Sequence, residues 1–126
     1  MEAGVWALTF TLLPWPERRK ASVWACLQAG EAPGLELAEA RAVEELAGAL
    51  PRLREAALRK GAALTLPGDP GVDRFLEPLP YPVALWVRGT LPPPGPCLAM
   101  VGSRQGSRAG LDRSRRWARD LTAAGI

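Results

Sequence analysis

The sequence contains no histidine. That removes the side chain most often used as a general base near neutral pH, and every imidazole metal ligand with it. Histidine-dependent triads, Cys-His pairs and His-based zinc sites are excluded within these 126 residues. There are two cysteines, Cys26 and Cys97, too few and too far apart for a metal motif or a disulfide framework. With no secretory leader in view, they read as reduced core thiols of a cytoplasmic protein. Lysine is scarce too: Lys20 and Lys60 are the only two, so nearly all positive charge is arginine. No apolar run approaches the roughly 20 residues that a membrane-spanning helix needs, so no membrane partner is expected. Neither G-x-G-x-x-G nor a Gly-Lys-Ser/Thr loop occurs, so the standard dinucleotide and Walker signatures are missing.

What is present is uneven in charge and in punctuation. Residues 1–101 carry 10 basic and 11 acidic side chains, net −1; residues 102–126 carry six arginines against Asp112 and Asp120, net +4. The net charge of +3 therefore belongs to the last fifth of the chain. A local basic face is the usual footprint of a polyanion partner. The competing reading is a solvated helix face whose arginines pair with nearby acids, Asp112–Arg116 and Arg116–Asp120 being spaced i,i+4 for it. Glycine and proline number 13 each, and proline clusters between 67 and 96.

The first 61 residues read as a bundle of three or four helices. Residues 5–13 fit strand or helix by pattern, and helix is favoured by the helical segments that follow. Pro14-Trp15-Pro16 breaks it. Glu17 to Ala29 is helical, with Ala21, Trp24, Ala25 and Gln28 on one side and Gly30 as a left-handed cap. Leu35 to Leu50 is helical through Leu35, Ala38, Ala42, Leu46 and Leu50. Pro51 starts a third helix, Arg52 to Lys60, with Leu53, Ala57 and Leu58 inward and Gly61 at its end. The short basic cluster Arg18-Arg19-Lys20 is expected to be solvated.

The pattern then changes. Ala62–Leu66 and Val83–Gly89 read as strands. Pro67 to Gly71 is turn sequence and Asp73–Leu76 one helical turn. Pro92 to Pro96 is a stiff connector that cannot join a ladder. Cys97-Leu98-Ala99-Met100-Val101 reads as a third strand, buried on both faces as in a parallel sheet. Gly102, Gly106 and Gly110 follow at every fourth position. Then comes a helix, Leu111 to Ala124, with Leu111, Ser114, Trp117, Leu121 and Ala124 as its inward stripe and Trp117 given a core role. A strand, a glycine turn and a helix N-terminus favour a phosphate, because free N–H groups and the helix dipole point at the turn. Ser103 and Ser107 add hydroxyls; Arg104 and Arg108 add planar forks that match phosphate oxygens. The alternative is a tight connection whose glycines serve geometry alone. A parallel strand needs a crossover to a second one. None follows the last helix, so the expectation is the front part of a longer protein, or a sheet completed by another chain.

The residues that carry this pattern resemble a family. Leu85-Trp86-Val87-Arg88-Gly89, the proline connector, then Leu98-Ala99-Met100-Val101-Gly102-Ser103-Arg104, Ser107 and Gly110 are similar to the DNA-processing protein A family (DprA, also called Smf). Asp69-Pro70 resembles the start of that family's Rossmann-like domain, and residues 1–61 stand where it has a helical, sterile-alpha-motif-like (SAM-like) domain. The chain departs from the family's pattern at Val72-Asp73, at Leu13-Pro14-Trp15-Pro16 and at Ala109. The resemblance implies an α/β chain: a helical SAM-like domain over 1–61, then the first, incomplete part of a Rossmann-like parallel sheet over 62–126. It implies a non-enzymatic cytoplasmic protein of natural transformation, without a cofactor. Such proteins bind single-stranded DNA as homodimers, protect incoming strands and load the RecA recombinase onto them. Gly102, Ser103 and Arg104 would line the DNA pocket with Ser107 near a phosphate, and the bottom-up reading adds Gly106 and Arg108. A second resemblance, over the strand, turn and serine, is to the lysine-decarboxylase-like phosphoribohydrolases, nucleotide-phosphate enzymes whose Gly-Gly-x-Gly-Thr motif does not occur here. A third possibility is a domain with no function of its own.

Overall fold

The computed structural model describes residues 2–126. It is helical for the most part, with a small two-stranded antiparallel sheet. The chain divides into two compact units, one through Leu91 and one from Pro92 to Ile126.

The first unit is organised around helix α1, Ala3–Leu12. Six consecutive residues, Val5 to Phe10, are buried. A helix buried on every side has no polar stripe, which is why its sequence shows no clear helical period. Thr9 and Thr11 sit in this apolar helix by donating their hydroxyls to the carbonyls of Val5 and Ala7, both at 2.8 Å. Two apolar clusters meet on α1. Phe10 stands in the first, with the rings of Trp6, Trp15, Trp24 and Tyr81 at centroid distances of 5.8, 6.3, 6.3 and 5.4 Å. Ala7 and Leu8 belong to the second, with Ala57, Leu64, Leu66 and Ala84.

Helix α2, Glu17–Gln28, buries Val23 and packs Ala21, Trp24 and Leu27 against the first cluster. Ala25 and Gln28 are exposed, contrary to the expected stripe. Gly30 closes it at φ +75°, the left-handed cap read from the sequence. Helix α3 runs unbroken over Leu37–Arg59 with Pro51 inside it, where the sequence reading had two helices. Proline removes one i→i−4 bond. The helix persists because Val43, Leu46, Leu50, Leu53 and Ala57, on both sides of Pro51, keep a continuous apolar face on the two clusters. Leu58, expected inward, is 67% exposed. Gly61 follows at φ +70°.

The expected strands appear in shorter form. Strand β1, Ala63–Thr65, pairs antiparallel with β2, Leu85–Val87, in the register Ala63 to Val87, Leu64 to Trp86 and Thr65 to Leu85. The turn between them is tied by Asp69, whose carboxylate accepts the Leu66 N–H at 2.8 Å and Arg54 of α3 at 3.1 Å. The one-turn helix α4, Asp73–Leu76, follows, and Asp73 accepts the Gly68 N–H at 2.8 Å. The Ala84 N–H donates to Thr11 of α1 at 2.8 Å.

Of the basic cluster of α2, Arg18 is exposed as expected, whereas Arg19 and Lys20 are bound to the protein. Arg19 makes a 2.6 Å ion pair with Glu39 and donates to the Gly34 carbonyl at 2.6 Å. Lys20 pairs with Glu17 at 3.3 Å. The Tyr81 hydroxyl donates to the Glu17 carboxylate, and that bond, with Lys20 second, holds Glu17 below the usual carboxylate range. The same bond raises the Tyr81 phenol.

In the second unit, Cys97–Val101 is irregular and exposed, so the expected buried parallel strand is absent. Val101 is 96% exposed and Leu98 61%. A lone strand leaves its N–H and C=O groups without partners, and no neighbour pairs with this one among the described residues. Cys97 is exposed as well, not a core thiol. The unit's one helix is α5, Arg108–Ala123, longer by three residues at its start than expected. None of its residues is buried, and Trp117, expected in a core, is 59% exposed. Among the described residues no helix is long and apolar enough to cross a membrane.

Candidate functional site

The turn at 102–110 is built by its two serines. Ser103 accepts the Gln105 N–H at 3.1 Å, a local bond that closes the turn after Gly102. Ser107 is the N-cap of α5 and accepts the Gly110 N–H at 3.1 Å. The three glycines are not equivalent. A Cβ on Gly110 would lie 3.2 Å from the Ser107 hydroxyl, and one on Gly106 would lie 3.4 Å from Leu111. Both keep the cap compact. A Cβ on Gly102 would meet open space. None of the three has a positive φ, so no left-handed conformation demands them. For Gly106 and Gly110 the geometric reading of the glycines is sufficient.

An anion-binding capacity remains after these bonds are counted. A hydroxyl that accepts still carries one hydrogen to donate, so Ser103 and Ser107 keep a donor each. The first N–H groups of α5, on Arg108 and Ala109, have no intrahelical acceptor by construction. The Gly110 N–H is taken by the cap and the Leu111 N–H by the Ser107 carbonyl at 2.9 Å. Arg104 and Arg108 are exposed, and neither makes an ion pair among the described residues. All six residues named from the sequence, Gly102, Ser103, Arg104, Gly106, Ser107 and Arg108, thus lie on one exposed turn leading into one helix.

The polar face of α5 differs from expectation in its pairing. Asp112 pairs with Arg115 at 3.3 Å, an i,i+3 contact, and not with Arg116. Arg113, Arg116 and Arg119 are exposed without an ion pair among the described residues, so five of the helix-and-turn arginines besides Arg115 stay uncompensated. Sequence reasoning did not name Arg113, Arg116 or Arg119 as site residues. Their signal was the excess of arginine over acid in this stretch.

No family model matches this chain, and no curated protein and no solved structure matches it either.

Proposed function

We propose that this chain binds single-stranded DNA through its phosphates, and that it is a DprA-like protein of natural transformation. In this reading it protects incoming strands and passes them to the RecA recombinase, acts as a homodimer in the cytoplasm, and catalyses no reaction. The observation that carries the reading is the Ser107-capped start of α5, flanked by the guanidinium groups of Arg104 and Arg108, which make no ion pair among the described residues. Backbone amides at a helix start attract an anion, and arginine forks grip its oxygens. In the same reading Cys97–Val101 belongs to a Rossmann-like sheet and becomes a strand only when a neighbouring strand pairs with it.

The test is fluorescence anisotropy of a labelled oligothymidylate titrated with the protein over a range of salt. Phosphate-dominated binding falls steeply with salt, by about 0.7 log units of affinity per log unit of salt for each phosphate contacted on a single strand. Arg104→Ala should weaken binding to all sequences alike and lower that slope by about 0.7. Unchanged affinity at low salt would remove Arg104 from the site. Release of free base from a nucleoside monophosphate by the wild-type protein would favour the phosphoribohydrolase reading instead.

A further inference from the structure

A second recognition surface lies on the first unit, and its chemistry is unlike that of the arginine-rich turn. Two hollows adjoin on α2, of about 450 and 410 Å3, each within the ordinary range for ligand pockets. They share Trp24 and Gln28, which are one helical turn apart on the same face. The first hollow continues over Pro67, Leu76, Tyr81 and Pro82 to Arg74 and Glu77. The second continues over Trp6 and Leu27 to Glu31. Two hollows in tandem suit a chain molecule better than a compact metabolite.

The lining narrows the occupant further. Trp24 is the half-buried ring of the walls and shares the first hollow with the half-buried Pro67 and Pro82. Apolar walls of this kind are what extended, proline-containing peptides use, because such peptides are already ordered and present flat apolar faces. Gln28 offers both a donor and an acceptor to a passing peptide bond. Trp6 is 4% exposed, and its indole N–H has no acceptor among the described residues. Charge decides between a peptide and a polyanion. Glu31 and Glu77 are exposed at the two ends without an ion pair among the described residues, and Asp73 adds a third carboxylate. Arg74, the only cation on the walls among the described residues, has its guanidinium over the Phe75 ring at 4.6 Å. The rim is thus net acidic, which disfavours nucleic acid and favours a basic side chain.

The geometry points to this trough as a docking site for an extended, proline-containing peptide with a flanking arginine or lysine, presented by a partner protein. This proposal does not depend on the DNA-binding reading. The probe is the peptide acetyl-Arg-Pro-Pro-Leu-Pro-Pro-amide, followed by indole fluorescence and by amide NMR shifts on the full chain. Saturable binding is expected, with shifts centred on Trp24, Gln28 and Tyr81. The same peptide with Glu in place of Arg should bind about tenfold more weakly. Trp24→Ala should abolish binding, but Trp24 also packs on Phe10 and its loss threatens the fold. Glu77→Lys, at an exposed position, is the cleaner variant: about tenfold weaker binding at an unchanged melting temperature. No saturation by about 1 mM peptide, or shifts centred elsewhere, would overturn the proposal. So would tighter binding of an oligothymidylate at these residues. Self-association of the chain that Glu77→Lys abolishes would make a second copy the occupant, and would overturn it equally.

Discussion

The two units of this chain put their apolar residues to opposite use. Through Leu91, aromatic and aliphatic side chains converge on α1, and Phe10 is surrounded by four rings. From Pro92 onward, Leu98, Val101, Leu111 and Trp117 are all at least 48% exposed. The charges divide the other way. Arg19, Lys20 and Arg54 are each tied to a carboxylate, whereas the arginines at 104 and 108 are tied to none among the described residues. Among the described residues the first unit pairs Arg19, Lys20, Arg54 and Arg59 with carboxylates, and the second pairs Arg115 alone. Stability and recognition are therefore expected to respond to different substitutions.

The largest contrast should come from two aromatic truncations. Phe10→Ala removes the ring at the centre of the first cluster and should cost about 3–5 kcal/mol in urea unfolding. Trp117→Ala should change stability by no more than about 0.5 kcal/mol. Similar losses at both sites would mean that the two regions are energetically alike. A smaller effect is expected at Asp69, which holds the Leu66 N–H and Arg54 together. Asp69→Ala leaves a part-buried donor unpaired and should cost about 1–3 kcal/mol; a neutral result would show that water replaces the carboxylate. Ser107→Ala should weaken α5 by about 1 kcal/mol, read as faster amide exchange in its first two turns with the first unit unchanged. Slowed exchange, or exchange that spreads into α1, would break the comparison.

The smallest effect is in the pH dependence, because the groups involved lie near the surface. Glu17 is held low by Tyr81 and then Lys20, and Glu39 by Arg19. A carboxylate depressed in the folded state contributes stability that is complete above the ordinary carboxylate range and is lost as pH falls through its depressed value. The raised Tyr81 phenol gives the opposite edge: its contribution is complete below the ordinary phenol range and is lost as pH rises through its folded value. Glu17→Gln with Glu39→Gln should flatten the acid limb of the melting temperature, and Tyr81→Phe the alkaline limb. An acid limb that stays unchanged in the double variant would assign it to other carboxylates.

The parts of the fold legible in the sequence were those with local causes. Gly30 and Gly61 end helices because a left-handed residue caps an α-helix, and both stand where expected. Residues 63–65 and 85–87 fall inside the runs read as strands. What failed was decided by contacts distant in sequence. Pro51 looks like a helix start until Leu46 and Leu53 are seen to pack against one cluster, which holds the helix through the proline. Cys97–Val101 has the composition of a buried strand, yet composition does not supply a neighbour to pair with. The antiparallel pairing of β1 and β2 runs against the parallel sheet expected over residues 62–126, because nothing local in either strand sets the direction of its partner. At the turn, the serines and arginines were legible as residue types. That Ser103 and Ser107 accept backbone N–H groups, and that two glycines serve the cap, needed coordinates.

The placement of the indoles has a spectroscopic consequence. Trp6, Trp15 and Trp24 crowd one ring, while Trp86 and Trp117 are 45% and 59% exposed. Emission from this chain is therefore a sum of a shielded, blue-shifted population and a red-shifted one open to collisional quenchers. An iodide titration quenches the second first, the half-buried Trp15 and Trp24 less, and the buried Trp6 last.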